Sequence, residues 1–255
     1  MNRLYAHMFL YPLREQVRIC VERKINCLVS LTASILMNLG EEEMGILRSA
    51  RNNIVIAYHA PPHDMFPGSI DPHIRFVAKQ RLSETLNLAR KTGAAFIVAH
   101  INYLEKMHKY HMKSWIENCF ELFDNLLHEY KIPIHLENAY ERSPEIFHKI
   151  LREVDNELLR FTLDVGHIIA YSKVSLRDWI LTLSNYIDEI HMHETKAGAD
   201  EHLPVGSGLV DWDEIIALLE DSGVDIRRIY ITVEPRNIND LDRSIQYIKE
   251  NLGIL

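Results

Sequence analysis

Short apolar runs alternate about eight times with longer amphipathic stretches, and this alternation constrains the fold more than any other feature. Apolar runs rich in β-branched residues predict buried parallel strands, and amphipathic stretches predict the helices that cover them. The predicted strands are Leu4–Phe9, Ile25–Leu31, Ile54–His59, Ala95–His100, Ile132–Glu137, Leu159–Asp164, Glu189–His193 and Ile229–Glu234. Eight such units in 255 residues match one α/β domain. We therefore predict a single closed (β/α)8 barrel, the TIM barrel, over residues 1–255.

The segments between the strands predict helices, as a parallel arrangement requires. The predicted helices are Leu13–Arg23, Glu41–Arg51, His73–Lys91, Met112–Tyr130, Pro144–Val154, Leu176–Tyr186, Trp212–Ser222 and Leu241–Asn251. Ser175 and Asp178 have the spacing of a capping box, and Gly93 stands where a helix should end. An open doubly wound sheet is the less favoured alternative, because the turn YAHMFLYPLRE after the first strand lacks glycine.

Six of the eight predicted strands end on a residue that can bind a metal ion. These residues are His59, His100, Glu137, Asp164, His191 or His193, and Glu234. Taken singly, each is more typical of a hydrogen-bonded or helix-capping position. In a parallel barrel, however, these strand ends converge on the face where active sites form. Buried carboxylates gathered there would be costly to desolvate without a cation, so the set predicts a metal site.

Other histidines of the chain are assigned by their place in the pattern. His191 and His193 lie two residues apart in one strand, so both are predicted to point inward. His135 has the same relation to Glu137 and is predicted to fill the layer beneath it. Histidines in helical or loop patterns are predicted to lie on the surface, namely His108, His111, His128 and His148.

Charge and cysteine content narrow the partners and the compartment. A formal charge of −8 makes nucleic acid a less favoured partner. The odd number of cysteines without paired spacing indicates a reducing cytoplasm and no disulfide framework. The N-terminal apolar run is too short for a signal peptide, and no stretch approaches the roughly 20 apolar residues of a membrane span. We expect a cytoplasmic chain with no membrane partner.

Five short motifs, in this order, resemble those of the xylose isomerase-like TIM barrel family. They are HLEN (His135–Asn138), LDVGH (Leu163–His167), IHMHE (Ile190–Glu194), ADEHLPVGSGLVDW (Ala199–Trp212) and VEP (Val233–Pro235). The family includes sugar-phosphate isomerases and epimerases, and also AP endonuclease IV. The resemblance extends over essentially the whole chain, and it supports the predicted fold.

The resemblance implies a divalent-metal cofactor and names its ligands. It implies a metal held by Glu137, Asp164, His191 and Glu234, with Glu137 and Glu234 also serving as an acid/base pair in the isomerase branch. The endonuclease branch holds three zinc ions. The further ligands of that branch map onto His59, His100, His167, Asp200 and His202, which would contact substrate in the isomerase branch. One metal is favoured and up to three are considered, with Zn, Mn, Fe, Co and Mg left open.

Departures from the family patterns favour the isomerase hypothesis over the nuclease. Glu194 stands where Asp is common, and Ser207 stands where Glu is common. INY follows His100 in place of PG, and LENAY and DVGH replace ENTAG and DTCH. The favoured hypothesis is proton abstraction next to a carbonyl through a metal-stabilised enediolate, on a sugar or sugar phosphate. The alternatives are a zinc-dependent phosphodiester hydrolase acting at abasic DNA sites, and a non-catalytic barrel.

Two loop features bear on the substrate. Lys196 and Arg236 follow strands seven and eight, where barrels often bind phosphate, although solvated surface charge is the favoured interpretation of each. The segment Ala60–Pro72 contains no Lys or Arg and is predicted to be a lid that shields the reaction from water. The sequence leaves the oligomeric state open.

Overall fold

The computed structural model describes residues 3–254, and its strands close into a barrel. The eight strands pair in sequence order, each parallel to its neighbours, and the last strand pairs with the first. They are β1 Leu4–Ala6, β2 Asn26–Ser30, β3 Ile56–His59, β4 Ile97–His100, β5 Ile134–Glu137, β6 Leu159–Asp164, β7 Ile187–Met192 and β8 Tyr230–Val233. The predicted (β/α)8 fold is confirmed.

Helices surround the barrel and follow the predicted positions closely. They are α1 Leu13–Arg23, α2 Ala33–Asn38, α3 Glu41–Ala50, α4 Pro72–Thr92, α5 Glu105–His108, α6 Met112–Tyr130, α7 Glu145–Val154, α8 Val165–Tyr171, α9 Leu176–Leu183, α10 Trp212–Asp221 and α11 Ile238–Tyr247. A 3-10 turn at Lys109–His111 precedes α6, and a π-helical turn at Ile248–Leu252 follows α11. The short helices α2, α5 and α8 were not predicted, because they lie in the loops beyond strand ends. In the described part of the chain, no helix combines the length and the apolar character needed to cross a bilayer.

The predicted end signals hold where the structure tests them. The Ser175 hydroxyl accepts the backbone N–H of Asp178 at 3.2 Å, and the Asp178 carboxylate accepts the backbone N–H of Ser175 at 3.2 Å. Gly93 ends α4 with a φ of 61°, in the left-handed region. The first strand is shorter than predicted, because its pairing with both neighbours stops at Ala6.

Side chains inside the barrel separate into an apolar floor and a polar top. Tyr5, Leu28, Ala57, Phe96 and Val98 form a compact cluster of buried residues. Because side chains alternate along a strand, the residues two positions after Ala57 and Val98 rise from the same face, toward the carboxyl ends of the strands. Those residues are His59 and His100. The alternation therefore places His59 and His100 directly above the apolar side chains of their own strands.

Candidate metal centre

The strand ends bring four predicted ligands, here called the core group, into one buried cluster. The core group is Glu137 at the end of β5, Asp164 at the end of β6, His191 in β7 and Glu234 directly after β8. Nδ1 of His191 lies 3.2 Å from Glu234 Oε1, 3.5 Å from Glu137 Oε1 and 3.7 Å from Asp164 Oδ2. All four side chains are buried. Three carboxylates thus converge on one imidazole nitrogen.

Five further predicted residues, here called the outer group, border the core group on two sides. The outer group is His59, His100, His167, Asp200 and His202. Nε2 of His59 and Nε2 of His100 lie 3.0 and 3.2 Å from the same oxygen, Oε2 of Glu137. Nε2 of His167 and Nε2 of His202 lie 3.3 and 3.1 Å from Oδ2 of Asp200. All nine predicted residues therefore lie in one site.

The hydrogen-bond pattern of this site requires positive charge between pairs of acceptor atoms. Nδ1 of His59 lies 2.7 Å from the carbonyl oxygen of Ala60, so that nitrogen carries a proton. Its other nitrogen faces a Glu137 oxygen, and a neutral imidazole would set two acceptors against each other there. His167 repeats the arrangement, with Nδ1 at 2.8 Å from the Asn138 carbonyl and Nε2 toward Asp200. A proton or a metal ion must lie between each pair.

Unpartnered polar atoms in the same place fit a divalent cation. Buried atoms without a hydrogen-bond partner include both ring nitrogens of His100 and Nδ1 of His191, together with Nδ1 of His193, Oδ1 of Asp200 and Nδ1 of His202. Ligand atoms gather within 4.8 Å of one another in four groups: His167, His193, Asp200 and His202; His59, His100 and Glu137; Glu137, Asp164 and His167; and Asp164, His191 and Glu234. Imidazole and carboxylate are the ligands that transition-metal ions prefer in proteins. The residues present therefore could hold a metal.

Protonation in the metal-free protein follows the same geometry. Burial by itself would lower the pKa of His191, but the carboxylates of Glu137 and Glu234 outweigh it and raise that pKa well above 6.5. His167 behaves in the same way beside Asp164. Burial would raise the pKa of Glu137 and of Glu234, yet the neighbouring imidazoles hold both well below the usual range. Protons on histidine thus occupy positions that suit a cation.

His7 is a site residue that sequence reasoning missed. It directly follows β1, is buried, and its Nδ1 lies 2.6 Å from Oε1 of Glu234. Its ring stacks on His59, with centroids 4.9 Å apart. The predicted first strand ran on to Phe9, which hid the fact that His7 stands at a strand end like the other ligands. A strand limit drawn at Ala6 would have revealed it.

His193 also belongs to the site, as its place on the same strand face as His191 predicted. Its Nε2 lies 3.2 Å from each oxygen of Asp164, and its ring stacks on His202 with centroids 4.1 Å apart. Gly166 makes room for it, because a Cβ there would overlap the imidazole ring. His108, which was predicted to lie on the surface, is instead half-buried and stacks on Trp115 at 4.2 Å.

Glu194 holds the loop that carries Asp200 and His202. The carboxylate is fully buried and accepts the backbone N–H groups of Gly206, Ser207 and Leu209 at 2.7, 3.1 and 2.7 Å. It also accepts the indole N–H of Trp212 at 3.2 Å. Because these donors are spread along one segment, the longer glutamate side chain ties the whole loop to the end of β7.

A cavity of about 540 Å³ opens above the two groups. Its floor is polar, and its wall includes the apolar side chains of Phe9, Leu10, Pro61, Pro62 and Tyr140. The predicted lid segment contributes part of that wall. Across residues 3–254, no lysine or arginine lines this cavity. Lys196 and Arg236 are both exposed and lie outside it.

The comparison with protein families agrees with the motifs. A family model described as the xylose isomerase-like TIM barrel matches residues 38–253. The chain belongs to this family. The resemblance carried by the five motifs is therefore confirmed.

The chain is similar to individual proteins of this kind, including an uncharacterised protein, a probable endonuclease and an epimerase-like protein. The chain is 26% identical over 217 residues to an uncharacterised protein of Methanocaldococcus jannaschii, covering 80% of this chain and 72% of that protein. It is 23% identical to a probable endonuclease 4 of Mycobacterium leprae, covering 66% and 70%. A solved structure titled D-tagatose 3-epimerase-like protein has 22% identity and a TM-score of 0.84, covering 99% of this chain and 97% of that one. These likenesses support membership of a family that includes enzymes.

Proposed function

We propose that the protein is a divalent-metal-dependent isomerase or epimerase that moves a proton next to the carbonyl of a small, uncharged sugar. The observation that carries the proposal is the pair of buried carboxylates, Glu137 and Glu234, both within 3.5 Å of Nδ1 of His191 at the floor of the cavity. A pair of carboxylates beside one substrate position supplies the base and the acid that such a reaction needs. The structural likeness to epimerase-like proteins supports the same chemistry.

The core group would hold the metal, which when bound supplies a Lewis acid for the substrate carbonyl. Glu234 is the better placed base, since its Oε2 has only the longer contacts of 3.4 Å to His202 and 3.8 Å to His193. Glu137 Oε2 lies 3.0 and 3.2 Å from the imidazoles of His59 and His100, and its Oε1 lies 3.4 and 3.5 Å from those of His167 and His191. Glu234 would therefore remove the proton, and Glu137 would return one that it first takes from the protonated imidazole of His167, whose Nδ1 lies 3.4 Å from Glu137 Oε1. The depressed pKa of Glu234 means that this carboxylate is ionised at neutral pH in the metal-free protein.

The cavity lining supports an unphosphorylated substrate. A phosphate group is commonly bound by cationic side chains, and the lining residues within 3–254 include no lysine or arginine. Imidazole, carboxylate and hydroxyl groups on the floor can donate to or accept from sugar hydroxyls. The apolar wall formed by residues such as Phe9 and Pro61 would keep bulk water from the reacting atoms.

Solvent isotope exchange tests the proposal directly. The protein is loaded with Zn²⁺, Mn²⁺ or Co²⁺ and incubated with a panel of free ketoses in D₂O. We expect NMR to show deuterium incorporated at the carbon next to the carbonyl. We also expect a second sugar to form from the ketose. A loaded protein that exchanges no ketose but nicks DNA containing abasic sites would contradict the proposal.

A second candidate function, phosphodiester hydrolysis, is favoured by one specific observation. The outer group adds two further sets of ligand atoms beside the core group: one of His59 and His100 with Glu137, and one of His167, Asp200 and His202 with His193. Three cations in these places would bring positive charge that the cavity lining itself lacks. A phosphodiester could then be held without lysine or arginine.

Replacing His202 with alanine separates the two candidates. For three bound metals, we expect the metal content of the purified protein to fall by about one ion per chain, because the set loses an imidazole ligand. For one bound metal, we expect unchanged metal content and a raised KM, because only a contact near the substrate is lost. Elemental analysis and ketose kinetics measure the two outcomes. His128→Ala removes an exposed histidine and serves as the control.

Metal binding should become more stabilising as pH rises above neutrality. The raised pKa values of His191 and His167 mean that the metal-free fold gains stability from their protons below pH 6.5 and loses it as pH rises through the folded-state values. The metal must displace those protons, so raising the pH favours binding. We expect the increase in Tm on adding saturating Zn²⁺ to be larger at about pH 8.5 than at about pH 7. A metal-induced shift that shrinks over this range would contradict the geometry.

A further inference from the structure

Glu189 is a fully buried carboxylate beneath the core group that the proposed reaction does not use. It stands two residues before His191 in β7 and therefore on the same strand face, one layer deeper in the barrel. Burying a carboxylate is costly unless it is well partnered. Glu189 lies inside the barrel, directly under a cluster of other carboxylates. Its burial therefore needs a specific explanation.

The surroundings of Glu189 hold it in one orientation. Oε2 accepts the hydroxyl of Thr162 at 2.8 Å and lies 3.1 Å from Nδ1 of His135. Oε1 accepts the hydroxyl of Thr232 at 2.6 Å. These donors come from β6, β5 and β8, so three strands fix the carboxylate. Oε1 also faces His191, whose Nε2 lies 3.3 Å away.

His135, one of the partners of Glu189, is itself held in a fixed position. His135, predicted to fill the layer beneath the metal ligands, is fully buried and stacks on Phe96 with centroids 4.3 Å apart. Its Nε2 lies 3.6 Å from Oδ2 of Asp188. The packed ring therefore cannot turn away from Glu189 without disturbing the apolar floor of the barrel.

The geometry determines which nitrogen of His191 carries a proton. An ionised carboxylate can only accept hydrogen bonds, so Nε2 of His191 is favoured beside Glu189 Oε1 only when it is protonated. Nδ1 is then the nitrogen that faces Glu137, Asp164 and Glu234. Histidines that bind metals commonly donate their second N–H to a carboxylate, which fixes the ring and makes the binding nitrogen more basic.

We propose that Glu189 is a positioning residue: it keeps a proton on Nε2 of His191 and presents Nδ1 to the divalent cation held by the core group. This inference rests on the proposed metal binding. Glu189 would touch neither the metal nor the substrate and would act through His191. Its two threonine partners and His135 would set its direction, and so the direction of the imidazole.

Replacing Glu189 with glutamine tests the inference through metal affinity. We expect Glu189→Gln to bind Zn²⁺ or Co²⁺ about 10- to 100-fold more weakly in competition with a chromophoric chelator. The matched control is Glu141→Gln. It changes another buried carboxylate, but one that accepts backbone N–H groups of Tyr103 and Ala139 instead of an imidazole. An equal loss of affinity in both variants would overturn the specific role of Glu189.

A measurement on the unaltered protein keeps the inference testable if the variant fails to fold. Two-bond ¹H–¹⁵N correlation of ¹⁵N-histidine-labelled protein distinguishes the protonated nitrogen from the one that binds metal. With Zn²⁺ bound, we expect His191 to be protonated on Nε2 and bound through Nδ1. Binding through Nε2 would overturn the role of Glu189 while leaving the proposed function standing. If the unaltered protein binds no divalent ion, the proposed function and this inference both fail.

Discussion

Glu234→Gln will lower kcat by about 10²- to 10⁴-fold at saturating metal, the range that a positioned acid or base contributes. Oε1 of this carboxylate lies 2.6 Å from Nδ1 of His7 and 3.2 Å from Nδ1 of His191, so the group is fixed in place and ionised. A glutamine keeps the shape but cannot take a proton from carbon. The loss should appear in kcat more than in KM, because the group acts on the transition state.

Two further measurements make the Glu234 result interpretable. Metal content must be determined on the same samples, because Glu234 is also a proposed ligand and a loss of metal would mimic a loss of base. Glu214→Gln is the control, since it changes an exposed glutamate in the first turn of α10. Near-normal turnover by a metal-loaded Glu234→Gln protein would exclude Glu234 as the base. Because a hydrolase using the same site would also be inactivated, this variant tests the site and not the choice of reaction.

Glu194→Ala should produce the largest loss of stability, about 3 kcal/mol or more. The substitution removes the acceptor of four N–H groups, three from the backbone of Gly206, Ser207 and Leu209 and one from the indole of Trp212. Bonds to an ionised acceptor are stronger than neutral ones, and the buried Trp212 N–H would be left without a partner. Chemical denaturation followed by circular dichroism measures the change.

The same substitution should also disturb the outer group. The loop that Glu194 holds carries Asp200 and His202, so we expect substrate affinity or metal content to fall together with stability. Glu220→Ala, at an exposed position in α10, should change stability by no more than about 0.5 kcal/mol and provides the comparison. A Glu194→Ala protein as stable as the original would show that the loop is held by other contacts.

The sequence was sufficient to predict the barrel, for a physical reason. Parallel strands covered on both faces must be apolar throughout, and helices that cover them must be amphipathic, so both periods are visible in the residues. Strand ends such as His59 and Glu137 were recognisable because a polar residue after such a run is conspicuous. The convergence of those ends needed only the parallel topology. Their roles as metal ligands or catalytic groups stay predictions.

Other parts of the site depended on details that the sequence does not display. His7 was hidden because the apolar pattern continues through Met8 and Phe9, whereas the pairing of β1 ends at Ala6. Glu189 looks like an ordinary polar position at the start of a strand. Only the packing of β7 between its two neighbours brings its carboxylate to the hydroxyl groups of Thr162 and Thr232. The short helices beyond strand ends were missed because loop geometry, not periodicity, forms them.

The sequence by itself therefore determined the fold class and most of the side chains gathered at one end of the barrel, since both follow from local periodicity and chain order. The tertiary structure alone decided which atoms face each other: His191 Nδ1 toward three carboxylates, its Nε2 toward Glu189, and no lysine or arginine among the cavity-lining residues of the described chain. Those relations join residues as far apart in sequence as His7 and Glu234. Barrel closure, which pairs β1 with β8, is what brings them into contact.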